Sequence, residues 1–227
     1  MLRARTVSTQ RPAQDADLSV QVAETFASIQ GESTYAGLPC FFIRLAGCNL
    51  SCSYCDTPGA REPGRQRRLG ELLAERAKSP APLTCVTGGE PLLQPAAPAL
   101  LAALQARETT PVLVETNGTR DLRAVPARSV AIMDIKCPGS GCCEATDWRN
   151  IERLRPQDEV KFVLCDRDDY LWARDVAARH ELSARCHAVL FSPAAERLEP
   201  RRLAQWLLAD GQPVRLQLQI HKILGCR

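Results

Sequence analysis

Three cysteines lie within one short segment of the chain, which reads Cys48-Asn-Leu-Ser-Cys52-Ser-Tyr-Cys55. Thiolates are soft ligands that suit zinc, copper(I) and iron–sulfur clusters. A structural zinc site takes four protein ligands, usually in two pairs, and no matching CxxC or HxxxH pair follows. Three ligands on a four-iron cube leave one iron open, as catalysis at a metal requires. We therefore expect Cys48, Cys52 and Cys55 to bind a [4Fe–4S] cluster. The alternatives are a zinc knuckle with a distant fourth cysteine, or simple core cysteines.

The chain has eleven cysteines, and those outside this triplet are scattered or irregularly spaced. Because the count is odd, the chain is long and the N-terminus lacks the apolar stretch of a secretory signal, we expect a reducing, cytoplasmic compartment. Cys137, Cys142 and Cys143 crowd one segment, and we expect this to be incidental, with adventitious metal binding as the alternative. Five others lie in or beside strand-like runs and are expected to be buried as small hydrophobes: Cys40, Cys85, Cys165, Cys186 and Cys226.

The composition of the 227 residues is that of an ordinary globular protein, with 45% hydrophobic and 24% charged residues. A chain of this length can bury a substantial core in one medium domain. The formal net charge of +3 is too small to indicate direct binding to nucleic acid. No apolar run reaches the length of a membrane span, so we expect no membrane partner.

Apolar runs of strand length alternate with helical patterns, which predicts a mostly parallel sheet with crossover helices. The expected strands are Phe41–Ala46, Leu83–Thr87, Val112–Glu115, Val130–Ile135, Val160–Leu164, His187–Phe191 and Val214–Gln219. The expected helices are Leu69–Ala77, Ala96–Gln105, Tyr170–Arg179 and Arg201–Ala209. The Pro-, Gly- and Arg-rich stretch Thr57–Arg68 is expected to be an exposed loop. We expect a flexible arm at 1–17 and one α/β core domain at 18–227, an open sheet or partial barrel.

Polar or glycine-rich segments follow four successive expected strands. The cysteine segment follows the first of them, and the other three segments are Thr87-Gly-Gly-Glu90-Pro91, Glu115-Thr-Asn117-Gly118 and Asp134-Ile-Lys136. In parallel sheets ligands bind at the carboxyl ends of the strands, where these loops converge. The four segments therefore predict one concave site.

The pattern Cys-x-x-x-Cys-x-aromatic-Cys, with Tyr54 as the aromatic residue, resembles the signature of the radical S-adenosylmethionine (SAM) superfamily. Thr87-Gly-Gly-Glu-Pro resembles the segment of that superfamily that contacts the SAM amine, although alone it would indicate only a tight turn. The resemblance implies a partial, TIM-like barrel in which the open iron binds the amino and carboxylate groups of SAM. It also implies reductive cleavage of SAM to methionine and a 5′-deoxyadenosyl radical.

Further motifs are similar to those of the 7-carboxy-7-deazaguanine synthases: Ser28-Ile-Gln-Gly-Glu32, Arg44-Leu-Ala-Gly-Cys-Asn49, Cys55-Asp-Thr57 and the terminal Gln219-Ile-His-Lys222. The likeness runs from about residue 22 to the end. It implies a radical SAM carbon–nitrogen lyase of queuosine and 7-deazapurine biosynthesis. Such an enzyme contracts 6-carboxy-5,6,7,8-tetrahydropterin to 7-carboxy-7-deazaguanine and releases ammonia. It uses SAM catalytically together with Mg²⁺.

The same resemblance implies roles for individual residues. Thr57 is implied as a Mg²⁺ ligand, since a hydroxyl suits a hard cation; a turn residue before Pro58 is the alternative. The residues implied to bind SAM are Tyr54, Cys55, Asp56, Gly89, Asp134, Ile135 and Lys136. Those implied to bind the substrate are Ile29, Gln30, Gly31, Arg44, Thr87 and Arg227. Arg44 suits a carboxylate because its guanidinium binds two oxygens at once; the alternative is a surface salt bridge.

Three other interpretations remain open at this point. A glycyl-radical-enzyme activase, or another radical SAM enzyme, shares the cysteine triplet and the two short motifs at 87–91 and 134–136. A nucleic-acid-modifying enzyme could use the arginines of the 57–68 stretch, and a zinc-binding module could use the triplet. The family resemblance further implies a flavodoxin-like or ferredoxin-like electron donor and a homodimer.

Overall fold

The structure is a computed structural model and describes residues 18–226. Within that range nine strands hydrogen-bond into one sheet. They are β1 (Ser19–Ile29), β2 (Pro39–Leu45), β3 (Arg65–Arg68), β4 (Leu83–Gly88), β5 (Val112–Thr116), β6 (Val130–Lys136), β7 (Glu159–Leu164), β8 (Ala188–Pro193) and β9 (Arg215–Leu216). Their order across the sheet is β3-β1-β2-β4-β5-β6-β7-β8-β9.

Helices connect most of the parallel strands. The α-helices are α1 (Leu69–Arg76), α2 (Ala97–Gln105), α3 (Arg167–Arg179), α4 (Leu182–Arg185), α5 (Pro200–Asp210) and α6 (Ile220–Leu224). Short 3-10 helices lie at Pro58–Arg61, Pro91–Leu93, Leu122–Ala124, Pro138–Ser140, Cys143–Ala145 and Trp148–Arg153. The four expected helices correspond to α1, α2, α3 and α5, and their ends shift by one to three residues at most.

Across the sheet, every neighbouring pair of strands from β2 and β4 to β8 and β9 is parallel. β1 is antiparallel to both of its neighbours, β2 and β3. The sheet begins at β3 and ends at β9, so within the described residues it stays open rather than closing into a full barrel. Parallel strands need crossover connections, and helices supply them here. The expected α/β fold with an open, mostly parallel sheet is confirmed.

Alternation along each strand separates a helix-packed face from a face that lines a cleft. On β6, Met133 and Ile135 are fully buried in the main core, whereas Asp134 and Lys136 face the cleft. Successive side chains of a strand point to opposite sides of the sheet, which explains the division. The helical side is filled by aliphatic residues and by edge-to-face aromatic pairs around Phe162.

Two strands were missing from the prediction, and one was too long. β1 was missed because polar residues interrupt the apolar ones along Ser19–Ile29, and β3 was missed because Arg-Gln-Arg-Arg holds no apolar residue. β3 also corrects the expected loop Thr57–Arg68, whose last four residues pair with β1 at the sheet edge, where charged strands are common. The expected strand Val214–Gln219 shrinks to the two residues of β9.

Most of the scattered cysteines are buried as expected, with Cys226 as the exception. Cys40, Cys85, Cys165 and Cys186 are buried, but Cys226 is exposed because it follows the short helix α6 beyond the core. The expected arm at 1–17 lies outside the described residues. Among the helices of residues 18–226, none is long and apolar enough to cross a membrane.

Candidate active site

A cleft of about 240 Å³ opens at the carboxyl ends of the parallel strands. It is lined by residues of β1, β2, β4, β5, β6 and β7, of the loops after β1, β2, β4, β5 and β8, and of the C-terminal segment. The expected site residues that line it are Ile29, Gln30, Gly31, Arg44, Cys48, Cys52, Tyr54, Cys55, Asp56, Thr57, Thr87, Gly89, Asp134 and Lys136. Residues far apart in the sequence thus share one cavity, as the position of the motifs at strand ends predicted.

Of the two remaining expected residues, the structure describes only Ile135. The side chain of Ile135 is fully buried in the helix-packed core, because it lies between the two cleft-facing residues of β6. Any contact between Ile135 and a ligand in the cleft would therefore have to use its backbone. Arg227 lies outside the described residues.

The cysteine segment is held in place by its polar residues. Ser53 donates its backbone N–H to Ser140 O at 3.0 Å and its hydroxyl to Gly139 O at 2.7 Å. Arg197 donates from Nη2 to Ser53 O at 2.8 Å. These bonds connect the segment to the loop after β6 and to the loop after β8. Hydrogen bonds therefore hold the segment that carries the thiols in place.

Two glycines let the end of β4 approach the cysteine segment closely. A Cβ on Gly88 would overlap the carbonyl oxygen of Leu45, and one on Gly89 would overlap the carbonyl oxygen of Gly47 and Cβ of Cys48. Gly88 also has φ +146°, which L-residues with a side chain rarely adopt. The Gly-Gly pair is therefore required by packing against the cysteine segment.

The donor set suits an iron–sulfur cluster. Cys48, Cys52 and Cys55 are free thiols, half-buried on the cleft wall. Burial raises the pKa of Cys52 to about 11, and Lys136 opposes this shift. Among residues 18–226, no three His, Cys, Asp or Glu side chains converge where they could hold one metal ion. A cube-shaped cluster needs a different arrangement, with each thiolate at its own iron.

Glu90, in the glycine-rich motif, joins two strand ends and does not line the cleft. Its carboxylate accepts the backbone N–H of Asn117 at 2.6 Å and of Leu92 at 2.9 Å, and the Thr116 hydroxyl at 2.9 Å. Burial raises its pKa despite these bonds. Glu90 therefore fixes the end of β5 against the end of β4.

A chain of buried charges forms one wall of the cleft. Lys161 Nζ lies 2.6 Å from Glu32 Oε2 and 3.4 Å from Asp134 Oδ2, and Lys136 Nζ lies 2.9 Å from the same Asp134 oxygen. Burial alone raises the pKa of Glu32, but the facing Lys161 ammonium brings it below its ordinary value. Burial lowers the pKa of Lys161, and its carboxylate neighbours more than reverse this shift. Asp134 Oδ1 is buried with no hydrogen-bond partner among the described residues.

Glu32 and Lys161 were not assigned roles from the sequence, although a signal for Lys161 was present. Lys161 is a cation in the middle of the apolar strand β7, and a buried charge needs a partner. Arg44 in β2 shows the same signal. Its Nε donates to Glu24 Oε1 at 3.0 Å, and its guanidinium lies 5.5 Å from the centre of the Phe26 ring. Arg44 thus has a protein carboxylate partner and also lines the cleft.

On another part of the cleft wall, the amide group of Gln30 faces the carboxylate of Glu115. Gln30, which is 2% exposed, lies with Nε2 3.5 Å from Glu115 Oε1. Thr87 donates its hydroxyl to Glu115 Oε2 at 2.7 Å. Glu115 was quoted in a motif but given no role, and it is the group that links these two expected substrate contacts.

The C-terminal segment closes over the same end of the cleft. Gln219 Nε2 donates to Glu32 Oε1 at 2.6 Å, and Lys222 Nζ lies 2.9 Å from Asp56 Oδ2. Ile220 donates its N–H to Gly31 O at 3.0 Å, and a Cβ on Gly31 would overlap the His221 ring. The motif at 219–222 was recognised, but its distance of more than 160 residues from Asp56 hid these contacts.

Three residues beside these cysteines, Tyr54, Asp56 and Thr57, are also held in place by hydrogen bonds. Thr57 donates its hydroxyl to Asp56 Oδ1 at 2.9 Å. Burial alone raises the pKa of Asp56, but the hydrogen bond and charge of Lys222 hold it well below the ordinary value. Tyr54 donates to Val163 O at 3.4 Å, and Lys136 Nζ lies 5.7 Å from its ring centre. Burial raises the pKa of Tyr54 strongly, so its phenol stays neutral.

Comparison with known proteins agrees with this geometry. The Radical SAM superfamily model matches residues 42–130. The 7-carboxy-7-deazaguanine synthase of Chlorobaculum tepidum is 44% identical over 208 residues, which cover 90% of this chain and 94% of that protein. The protein of the same name from Koribacter versatilis is 40% identical and covers 90% of this chain and 96% of its own. The crystal structure of QueE from Escherichia coli superposes with a TM-score of 0.72 at 22% identity, over 93% of this chain and 99% of that one.

Proposed function

The chain belongs to the family of 7-carboxy-7-deazaguanine synthases within the radical SAM superfamily, and we propose that its cleft carries out that family's ring contraction. The substrate is then 6-carboxy-5,6,7,8-tetrahydropterin, and the products are 7-carboxy-7-deazaguanine and ammonia. The observation that carries the proposal is the convergence of three free thiols, Arg44 and Gln30 on one cleft. An activase would instead have to admit a segment of a partner protein.

The thiols of Cys48, Cys52 and Cys55 hold a [4Fe–4S] cluster in this proposal. With SAM bound, the cluster would supply one-electron cleavage of SAM and so the radical chemistry of the reaction. The hydrogen bonds of Ser53 and the close approach of Gly88 and Gly89 to the cysteine segment keep the thiols at fixed positions. The reducing electron comes from a flavodoxin-like or ferredoxin-like protein, and the enzyme acts as a homodimer.

One side of the cleft binds SAM. Tyr54 and the backbone of Cys55 and Asp56 border the adenine, and Gly89 borders the methionine part. The unpartnered Oδ1 of Asp134 is an acceptor available to a ribose hydroxyl, which would satisfy this buried oxygen. Lys136 and Lys161 form ion pairs with Asp134 and hold it in place. The backbone of Ile135 is the remaining group on this side that contacts SAM in the proposal.

The opposite side binds the pterin. Gln30 offers both an amide donor and an acceptor to the edge of the ring, and Thr87 and Glu115 lie beside it. Ile29 and Gly31 shape this wall, and Arg227, which lies outside the described residues, is proposed as a substrate contact from the family resemblance alone. Arg44 binds the substrate carboxylate: Glu24 holds its Nε, and the terminal nitrogens of the guanidinium provide the paired donors.

Thr57 would hold a Mg²⁺ ion through its hydroxyl oxygen. The Thr57 hydroxyl is held by Asp56, and a hard cation takes oxygen ligands while keeping several positions for substrate and water.

The direct test is an anaerobic assay with reconstituted chain, a chemical reductant, SAM, Mg²⁺ and the carboxytetrahydropterin. We expect 7-carboxy-7-deazaguanine and ammonia in equal amounts by mass spectrometry, with SAM not consumed in proportion to product. Cleavage of SAM without either product would contradict the assigned substrate and favour an activase.

The Mg²⁺ proposal is tested by Thr57→Ala with Thr57→Ser as its matched control. Loss of the hydroxyl should weaken the response of turnover to added Mg²⁺, while Thr57→Ser, which keeps the oxygen, should respond like the wild type. Iron content should stay unchanged because all three thiols remain. Turnover that is indifferent to chelation and to Thr57→Ala would remove Mg²⁺ from this site.

A further inference from the structure

The loop between β1 and β2, residues 30–38, carries two of the residues proposed to contact the pterin, Gln30 and Gly31. Ser33 follows them with φ +66°, a left-handed conformation that is uncommon for residues other than glycine, and it is buried. Backbone strain of this kind persists where the surrounding structure holds the chain, and it often lies at ligand sites. The contacts between this loop and the sheet therefore decide how Gln30 and Gly31 are presented to the cleft.

The carboxyl group of Glu159, the first residue of β7, holds the middle of this loop. Thr34 donates its backbone N–H to both carboxylate oxygens of Glu159 at 3.2 Å, and its hydroxyl donates to Oε1. Glu159 is fully buried, and within residues 18–226 these are the hydrogen bonds of its side chain. Because a buried carboxyl group is costly without donors, Thr34 is held against β7.

A second contact attaches the same loop to the same strand. Lys161 lies two residues after Glu159 and so on the same face of β7, and its Nζ lies 2.6 Å from Glu32 Oε2. Glu32 and Lys161 line the cleft, whereas Thr34 and Glu159 do not belong to the cleft lining found among the described residues. Glu159 can therefore act on a ligand in the cleft only through the loop that it holds.

We propose that Glu159 is a positioning residue for the pterin site, which through its hydrogen bonds with Thr34 holds the 30–38 loop so that Gln30 and Gly31 face the substrate. This inference rests on the proposed function, since it takes these two residues to contact the pterin.

The backbone of the loop connects Thr34 to Gln30. Gln30 donates its N–H to Leu38 O at 2.8 Å and accepts the N–H of Gly37 at 2.8 Å, and its Oε1 accepts the N–H of Glu32 at 3.2 Å. Loss of the contact with Glu159 therefore displaces Gln30 and lowers the affinity for the pterin. The cysteine segment takes no part in these bonds, so iron content and the affinity for SAM stay unchanged.

The test is steady-state kinetics of full-length, anaerobically reconstituted variants with the carboxytetrahydropterin. Thr34→Val removes the hydroxyl at nearly constant volume and should raise KM about tenfold, roughly the effect of one hydrogen bond to a carboxylate, with a smaller change in kcat. Thr34→Ser keeps the donor and should behave like the wild type. Glu159→Gln should also raise KM, and Thr34→Val should add little to it, because both changes affect one contact.

The matched control is Thr84→Val. The buried Thr84 hydroxyl also donates to a carboxylate, Glu108 Oε1 at 3.1 Å, and neither residue is in the cleft lining found among residues 18–226. Thr84→Val should therefore leave KM for the pterin unchanged, although it removes a comparable hydrogen bond.

Hydrogen–deuterium exchange of the 30–38 segment gives a second readout that needs no substrate. Uptake there should rise in Thr34→Val and stay at the wild-type level in Thr34→Ser and Thr84→Val. Unchanged KM or unchanged uptake in Thr34→Val would overturn the proposal, as would an equal rise in KM in Thr84→Val. A wild type that does not turn over the pterin would refute the proposed function, and the exchange result would then still decide whether Glu159 holds the loop.

Discussion

Two cations, Arg44 and Lys161, lie in mostly apolar strands and line the cleft. A buried charge is expensive unless a partner compensates for it, and here carboxylates do so: Glu24 for Arg44, and Glu32 with Asp134 for Lys161. Side chains of this kind are seldom kept for stability alone. In this cleft they place fixed positive charge beside sites proposed for a carboxylate and for SAM.

Arg44 gives the sharpest prediction at the residue scale. Arg44→Ala should lower carboxytetrahydropterin turnover about a hundredfold, because a charge-assisted pair contributes about 1.5–3 kcal/mol and 1.4 kcal/mol is tenfold. Arg44→Lys should recover only part, since an ammonium cannot match both carboxylate oxygens. Iron content and some uncoupled SAM cleavage should persist in both variants.

The matched control for Arg44 is Arg123→Ala. Arg123 pairs with Asp121 on the surface, where its side chain is 73% exposed, and it should leave turnover unchanged. Normal turnover in both Arg44 variants would show that the substrate carboxylate is held elsewhere.

At the scale of elements, β4 and the cysteine segment depend on one another. The strand ends at Gly88, and Gly89 follows it. A side chain at either position would overlap backbone atoms of residues 45–47. Sequence reasoning explained the Gly-Gly pair by turn geometry, and the structure adds this close approach as a second cause.

Gly88→Ala should therefore destabilise the fold. Backbone strain at φ +146° costs about 1–3 kcal/mol, and the overlap with Leu45 adds to it. Gly59→Ala is the matched control, since a Cβ there meets nothing within 4 Å and its φ lies outside the left-handed region. Urea denaturation of the two variants should separate them clearly. Equal stability of both would show that the β4 end can shift without cost.

Elements with strong periodicity were predictable, and short or polar ones were not. The apolar strands from β2 to β8 and helices α1, α2, α3 and α5 follow patterns visible in the sequence. β3 and α6 are four and five residues long, too short for a period to show. β1 shows no continuous apolar run, because polar residues interrupt the apolar ones along Ser19–Ile29.

At the scale of the whole molecule, the C-terminal segment returns across the strand ends to the first half of the chain. Lys222 with Asp56, and Gln219 with Glu32, join segments that the sequence separates by most of its length. The motifs alone predicted that a single cleft would form. They could not predict these long-range pairs, because nothing in the local pattern of either segment specifies its partner.

The Asp56–Lys222 pair makes part of the stability dependent on pH. The pKa of Asp56 is lowered in the folded state, so its contribution is complete above the ordinary value of 3.8 and is lost as pH falls through the folded value. Lys222→Met should lower the free energy of unfolding by at most about 1 kcal/mol at pH 7, since the pair is partly exposed. The difference from wild type should persist to pH 5 and shrink below pH 3.8.

Urea denaturation across this pH range checks the prediction, with Asp56→Asn as background control. In that background Lys222→Met should have no pH-dependent effect, because the titrating partner is gone. A difference that grows as the pH falls would contradict the assigned pair.

The most direct test of the account is the metal content and absorbance of the anaerobically reconstituted chain. The account predicts about four irons per chain with the brown absorbance of a [4Fe–4S] cluster. It predicts loss of both when Cys48, Cys52 or Cys55 is replaced by Ala, but not when Cys143 is. Stoichiometric zinc without iron after anaerobic preparation would contradict it.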